Sequence, residues 1–188
     1  QVLAISDKVH CIVQRQYNCL NRILLPLLEE NNIKFLKFGD LSKNQRDYVK
    51  TYFNTTLYPI LTPMAIDNSR PFPLLANKSL NLIVELKGEE GEEKFAVVQI
   101  PSVVSRIVKL PSENGKTELI FLEEVVTAYI NKLFNGSKVI SAYCFRITRD
   151  ADLEIDEEDS HDLLSEIEDS IKQRKWGAPV RLEVDKDI

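Results

Sequence analysis

Hydrophobic positions open the chain at three- and four-residue steps: Ile5, Val9, Ile12, Val13, Leu20, Leu24, Leu27 and Leu28. That spacing draws one apolar stripe along a helix, with Ser6 as its expected N-cap. Pro26 falls inside the stripe. It lacks an amide hydrogen and costs on the order of 3 kcal/mol inside a helix, which predicts a kink or an early stop there. Asn31-Asn32 then breaks the pattern, and Ile33 to Phe38 reads as a short strand closed by Gly39-Asp40. Ser42 with Gln45 three residues later forms a capping box. The helix it starts should bury Val49, Tyr52, Phe53 and Leu57.

Four prolines, Pro59, Pro63, Pro71 and Pro73, punctuate the next stretch. Each fixes φ and pushes its predecessor toward extended backbone. The helix is therefore expected to end between Leu57 and Pro59, and the next regular element to wait until after Pro73. Ile60, Leu61, Met64, Ile66, Phe72, Leu74 and Leu75 make the stretch too apolar for a solvated linker. It reads as a packed connection between two halves of one core.

Beyond it the period changes to two. Leu80, Leu82, Val84 and Leu86 alternate with more polar neighbours, and Lys94 to Ile100 pairs back as a hairpin across the turn at Gly88–Glu93. Ser105 to Leu110 supplies a further strand. Leu122, Val125, Val126, Tyr129, Ile130 and Leu133 mark a helix, with Gly136 placed to cap its C-terminus. In the strand Val139 to Thr148, Val139, Tyr143, Phe145 and Ile147 share one face. Ile140, Ala142, Cys144 and Arg146 share the other. A helix over about Ser160 to Lys175 and a strand over Val180 to Val184 complete the pattern. The fold class is α+β: a mixed sheet with packed helices, preceded by one long helix left over from a helical bundle. That gives residues 1–31 as the last helix of a helical domain and residues 32–188 as an α+β domain.

Composition narrows the function classes. A net charge of −5 argues against a general nucleic-acid binder. No apolar run reaches the length of a membrane-spanning helix. The start of the chain has neither the regions of a signal peptide nor an initiator Met, which reads as an excised piece of a longer protein. Three cysteines without CxxC spacing suit a reducing cytoplasm.

Candidate chemistry is sparse. The acidic run from Asp150 to Asp159 fails as a calcium loop, because Ile155 stands where glycine is needed and His161 where glutamate is needed. A magnesium ion shared with phosphates needs only one or two carboxylates and stays open, against a solvated edge with helix-start charge. His161 reads as a surface histidine and His10 as a packing residue. No glycine-rich phosphate loop is present. The remaining signal is cationic: Arg146 on a strand face, Arg149 at the strand end, and Arg70 within the proline stretch. A guanidinium fork suits phosphate, although pairing with Asp150, Asp152 or nearby acids is the favoured account of Arg146 and Arg149 from the residues alone.

Two blocks carry a family resemblance. LYPILTPMAIDNSRPFPLLANKSLNL, from Leu57 to Leu82, and Ser141 to Val184 (SAYCFRITRDADLEIDEED…IKQRKWGAPVRLEV) both resemble polyphosphate kinases, in the family's order. A weaker match over Val9 to Phe53 extends the resemblance over essentially the whole chain. It implies an enzyme with an N-terminal helical domain, a middle α+β domain and two C-terminal phospholipase-D-like domains. Such enzymes transfer the terminal phosphate of ATP, reversibly and with magnesium, through a phosphohistidine to polyphosphate. In the family the phosphohistidine and its partners lie in the C-terminal domains. Neither His10 nor His161 matches a catalytic position, so no catalytic, cofactor or metal residue is carried over. The resemblance implies a cytoplasmic middle region that helps form a homo-oligomer beside the remaining domains and flanks the polymer channel; a peripheral hold on a membrane stays open. Arg70, Arg146 and Arg149 are its candidates for phosphate contact. The alternative is a dimerisation module with no phosphate contact.

Overall fold

The structure is a computed structural model, and it describes residues 1–66, 72–88, 91–112, 115–150 and 177–185. The chain divides into two compact units. Residues 1–52 and 105–125 form the first, and residues 53–104 and 126–188 the second.

The first unit begins with α1 (Val2–Cys19), which runs through a π-helical turn at Leu20–Leu24 into α2 (Leu25–Glu30). Ser6 is therefore an interior residue and not the N-cap. Its main-chain carbonyl lies 2.8 Å from Nδ1 of His10. Pro26 does not stop the helix. It sits in the first turn of α2, where a missing amide is tolerated, and the preceding turn widens to the π form. Asn32 ends the element with φ of 62°, a left-handed conformation that asparagine tolerates.

A three-stranded sheet follows, in the order β1-β6-β5. β1 (Ile33–Phe35) runs parallel to β6 (Thr117–Phe121), and β5 (Ile107–Lys109) lies antiparallel to β6. The strand expected over Ile33–Phe38 stops at Phe35, where the chain enters a 3₁₀ turn at Phe38–Asp40. β6 was not legible as a strand. At five residues, directly before a helix, it shows little of the period-two pattern. Phe35 and Phe121 stack with ring centroids 4.8 Å apart. The capping box forms as expected: Ser42 N donates to Gln45 Oε1 at 3.0 Å, and Gln45 N donates to Ser42 Oγ at 3.3 Å. It starts α3 (Lys43–Tyr52), whose Val49 is buried with Leu41, Val108, Leu110, Ile120 and Leu122 in this unit.

The second unit carries a five-stranded antiparallel sheet in the order β2-β4-β3-β7-β8. β3 (Leu80–Lys87) and β4 (Glu93–Gln99) are the expected hairpin, turned at Gly91 with φ of 88°. β7 (Lys138–Arg149) and β8 (Pro179–Val184) extend the sheet on the other side. β2 (Pro63–Ile66) corrects the expectation that nothing regular forms before Pro73. Pro63 is its first residue, and β2 is the terminal strand of the sheet. There a missing amide costs no ladder hydrogen bond. The proline stretch is thus partly a strand.

Both sheet faces are apolar near the centre. Leu82, Val84, Leu86, Ala96 and Val98 are buried on one. On the other, Leu75, Val97 and Phe145 form a cluster with Met64, Ile66, Ile83 and Ile147. α4 (Leu122–Ala128) gives way to a 3₁₀ turn at Ile130–Leu133, so the expected helix is shorter and tighter at its end. Gly136 follows with φ of 81°. The acidic run after Asp150, the helix expected over Ser160–Lys175 and Arg70 lie outside the described residues.

Candidate functional site

The two described candidate arginines sit at the end of β7, in different surroundings. Antiparallel pairing sets Arg146 opposite Glu183 of β8. The carboxylate accepts a two-point fork, Nε to Oε2 at 2.9 Å and Nη2 to Oε1 at 3.1 Å. Arg181 approaches the same carboxylate at 3.6 Å. The hydrogen bond from Arg146 holds the Glu183 carboxyl below the usual carboxylate range, against a smaller opposing effect of burial. Glu183 is thus shared by two cations on one strand face.

Arg149 serves the backbone instead. Its Nε donates to Leu75 O at 3.0 Å and its Nη1 to Gly177 O at 3.0 Å. Its main-chain N donates to Asn77 Oδ1 at 2.9 Å. Beside it, Lys78 takes φ of 60° and donates its N–H to Ile147 O at 2.8 Å. These bonds fasten the loop after the proline stretch to β7. Asp150 N donates to Ala178 O at 2.8 Å. A Cβ on Gly177 would lie 2.1 Å from Asp150 O, so only glycine fits there.

The expected pairing of Arg146 with an acid is present, and among the described residues that acid is Glu183, 37 residues away. The structure brings Arg146 and Arg149 to one strand end with separate partners. The sequence alone does not single out Arg181 and Glu183. Their alternation in β8 was visible, but the register that sets them against β7 was not.

The first unit holds a groove of about 760 Å³ lined by Glu29, Lys34, Asp40, Gln45, Lys116 and Glu118 among others. Lys34 pairs with Glu29 at 2.7 Å, and that hydrogen bond raises its pKa. The buried Gln45 amide donates to Pro111 O at 3.0 Å and to Glu118 Oε2 at 2.6 Å. The lining carries three carboxylates and two ammonium groups, and Lys34 and Gln45 are each engaged by an acid of the groove itself. Among the described residues no group of three His, Cys, Asp or Glu side chains could hold a metal ion. Among them, too, no helix is long and apolar enough to cross a membrane. Cys11, Cys19 and Cys144 form no disulfide.

Comparison with known proteins gives a consistent answer. Residues 44–188 match the family described as polyphosphate kinase middle domain. The polyphosphate kinase of Halalkalibacterium halodurans is 47% identical over the whole chain, which spans 27% of that protein. That of Lactiplantibacillus plantarum is 46% identical, with the whole chain spanning 26% of it. That of Pseudomonas putida is 40% identical over 98% of the chain and 26% of its own length. Among solved structures, the crystal structure of polyphosphate kinase from Porphyromonas gingivalis shares the fold. Its TM-score is 0.71 at 23% identity, over 78% of this chain and 25% of that one. The chain thus covers about a quarter of the relatives' length, and it belongs to the polyphosphate kinase family, with residues 44–188 as the middle domain.

Proposed function

We propose that this chain is the middle region of an enzyme that transfers the terminal phosphate of ATP, reversibly, to inorganic polyphosphate through a phosphohistidine and with magnesium. The observation that carries this reading is identity of 40–47% to proteins named polyphosphate kinase across nearly the entire chain. In this reading residues 1–31 are the last helix of a preceding helical domain. Support comes from α1, none of whose residues is buried, although Ile5, Ile12 and Tyr17 are apolar. The chain works in the cytoplasm beside the other domains of its protein and does not itself carry the transfer. Incubating the isolated chain with labelled ATP is expected to yield no labelled polymer and no labelled protein; label in either overturns this assignment.

Arg70, Arg146 and Arg149 are the residues proposed to meet polyphosphate. Arg146 is the better placed of the two described, since its side chain is 41% exposed. Binding of long-chain polyphosphate at low and high salt tests the set. Salt-sensitive binding weakened several-fold by Arg146→Ala supports a phosphate path along β7. Unchanged binding removes Arg146 from it.

A second reading is that the middle domain makes the contact between copies of the protein. The exposed apolar residues of β8 favour it: Val180, Leu182 and Val184 are 63%, 63% and 52% exposed.

A further inference from the structure

We propose that Glu183 is a built-in competitor for polyphosphate: its carboxylate occupies a phosphate subsite made by Arg146 and Arg181, and the polymer binds there by displacing it. This rests on the reading that Arg146 meets polyphosphate, and it adds Arg181 and a competing carboxylate to that contact.

Strand register builds the subsite. Arg146 stands opposite Glu183, and Thr148 opposite Arg181, so Arg181 is the diagonal neighbour of Arg146 on one face of the sheet. Arg146 gives Nε and Nη2 to the two oxygens of Glu183. Arg181 Nη2 comes within 3.6 Å of Oε1, too far for a hydrogen bond. The carboxylate has only two oxygens, and the Arg146 fork holds both. Arg181 is drawn to it without being bonded by it.

Polyphosphate offers what the carboxylate lacks. Each interior phosphoryl unit presents two non-bridging oxygens, which a guanidinium fork accepts as it accepts a carboxylate. The next unit along the polymer carries two more. One unit can replace Glu183 on Arg146 while its neighbour closes the gap to Arg181. A chain of phosphates thus serves both arginines, where one carboxylate serves one.

Displacement is easy because none of the three groups is deeply buried. The side chains of Arg146, Arg181 and Glu183 are 41%, 33% and 27% exposed. The outgoing carboxylate reaches water, so no uncompensated buried charge is left behind. Without the polymer, the same carboxylate screens two neighbouring like charges from each other. Glu183 therefore steadies the empty subsite and obstructs the filled one.

Binding of long-chain polyphosphate to the whole chain at low salt, where phosphate contacts are strongest, tests this. Glu183→Gln keeps the size of the side chain and removes the competing charge. It should tighten binding at least threefold. Arg181→Ala should weaken binding at least threefold, and both variants should keep the circular dichroism of the parent chain. Asp185→Asn removes the same charge two residues along β8. An equal gain there would mean general charge repulsion and would overturn displacement. Unchanged or weaker binding by Glu183→Gln, with Arg146→Ala still weakening it, also overturns displacement but leaves the Arg146 contact standing. Unchanged binding by Arg181→Ala overturns the two-arginine subsite in the same way. Binding that Arg146→Ala leaves unaltered overturns both readings, as does a chain that binds no polyphosphate with or without Glu183→Gln.

Discussion

Arg149 donates to main-chain carbonyls of two loops, so its geometry matters more than its charge. Arg149→Lys keeps the charge but loses the planar fork. It is expected to destabilise the fold by about 1–2 kcal/mol in chemical denaturation. Polyphosphate binding weakened beyond what that destabilisation causes would support the proposed phosphate contact, and unchanged binding would remove Arg149 from it. Gly177→Ala should cost roughly 2–3 kcal/mol, because the new methyl meets a main-chain oxygen that cannot swing away. Glu183 sets a pH dependence. Its folded pKa is lowered, so its contribution to stability is present above the ordinary glutamate value of about 4.3 and is lost as pH falls through the folded value. Arg146 is well exposed, so screening holds that contribution to roughly 1 kcal/mol or less. Glu183→Gln should flatten the acid side of a stability–pH curve below about pH 5 and leave its alkaline side parallel to that of the parent chain.

At the scale of elements, the sequence was legible wherever neighbours in the chain decide the outcome. The capping box at Ser42 and Gln45, the hairpin of β3 and β4 and the break at Asn31-Asn32 are all contacts within a few residues, and all form. Ser42→Ala should therefore cost about 1 kcal/mol in thermal unfolding, the usual worth of such a cap. What was hidden depends on partners far along the chain. β2 exists because β4 offers it an edge, with Met64 opposite Val97, and proline count alone could not reveal that. β6 is held between β1 and β5, with β1 pairing in parallel across more than eighty residues. Arg146 finds its acid only through the register of β7 with β8. Pro26 shows a third case, in which the rule was right and the outcome was not: the missing amide was absorbed by a wider turn. Pro26→Ala should restore ordinary helical bonding and slow amide exchange across Arg22–Leu28, measured by hydrogen exchange.

For the whole molecule, the order of segments matters as much as their structures. The chain leaves the first unit at residue 52, returns at 105 and leaves again at 125, so neither unit is complete until its distant segment has been made. Pairings such as β1 with β6 close long loops, which slows folding relative to local contacts. The bonds at the end of β7 have a different outcome. Asp150 N reaches Ala178 O, and Arg149 reaches Gly177 O, so the chain departs after Asp150 and rejoins at Gly177 through a single fastened doorway. These bonds join the two points directly. A guest domain whose own termini lie close together, spliced in between residues 150 and 177, should leave the melting of the second unit nearly unchanged. Such a graft would turn this strand end into a port for a reporter or a second binding module.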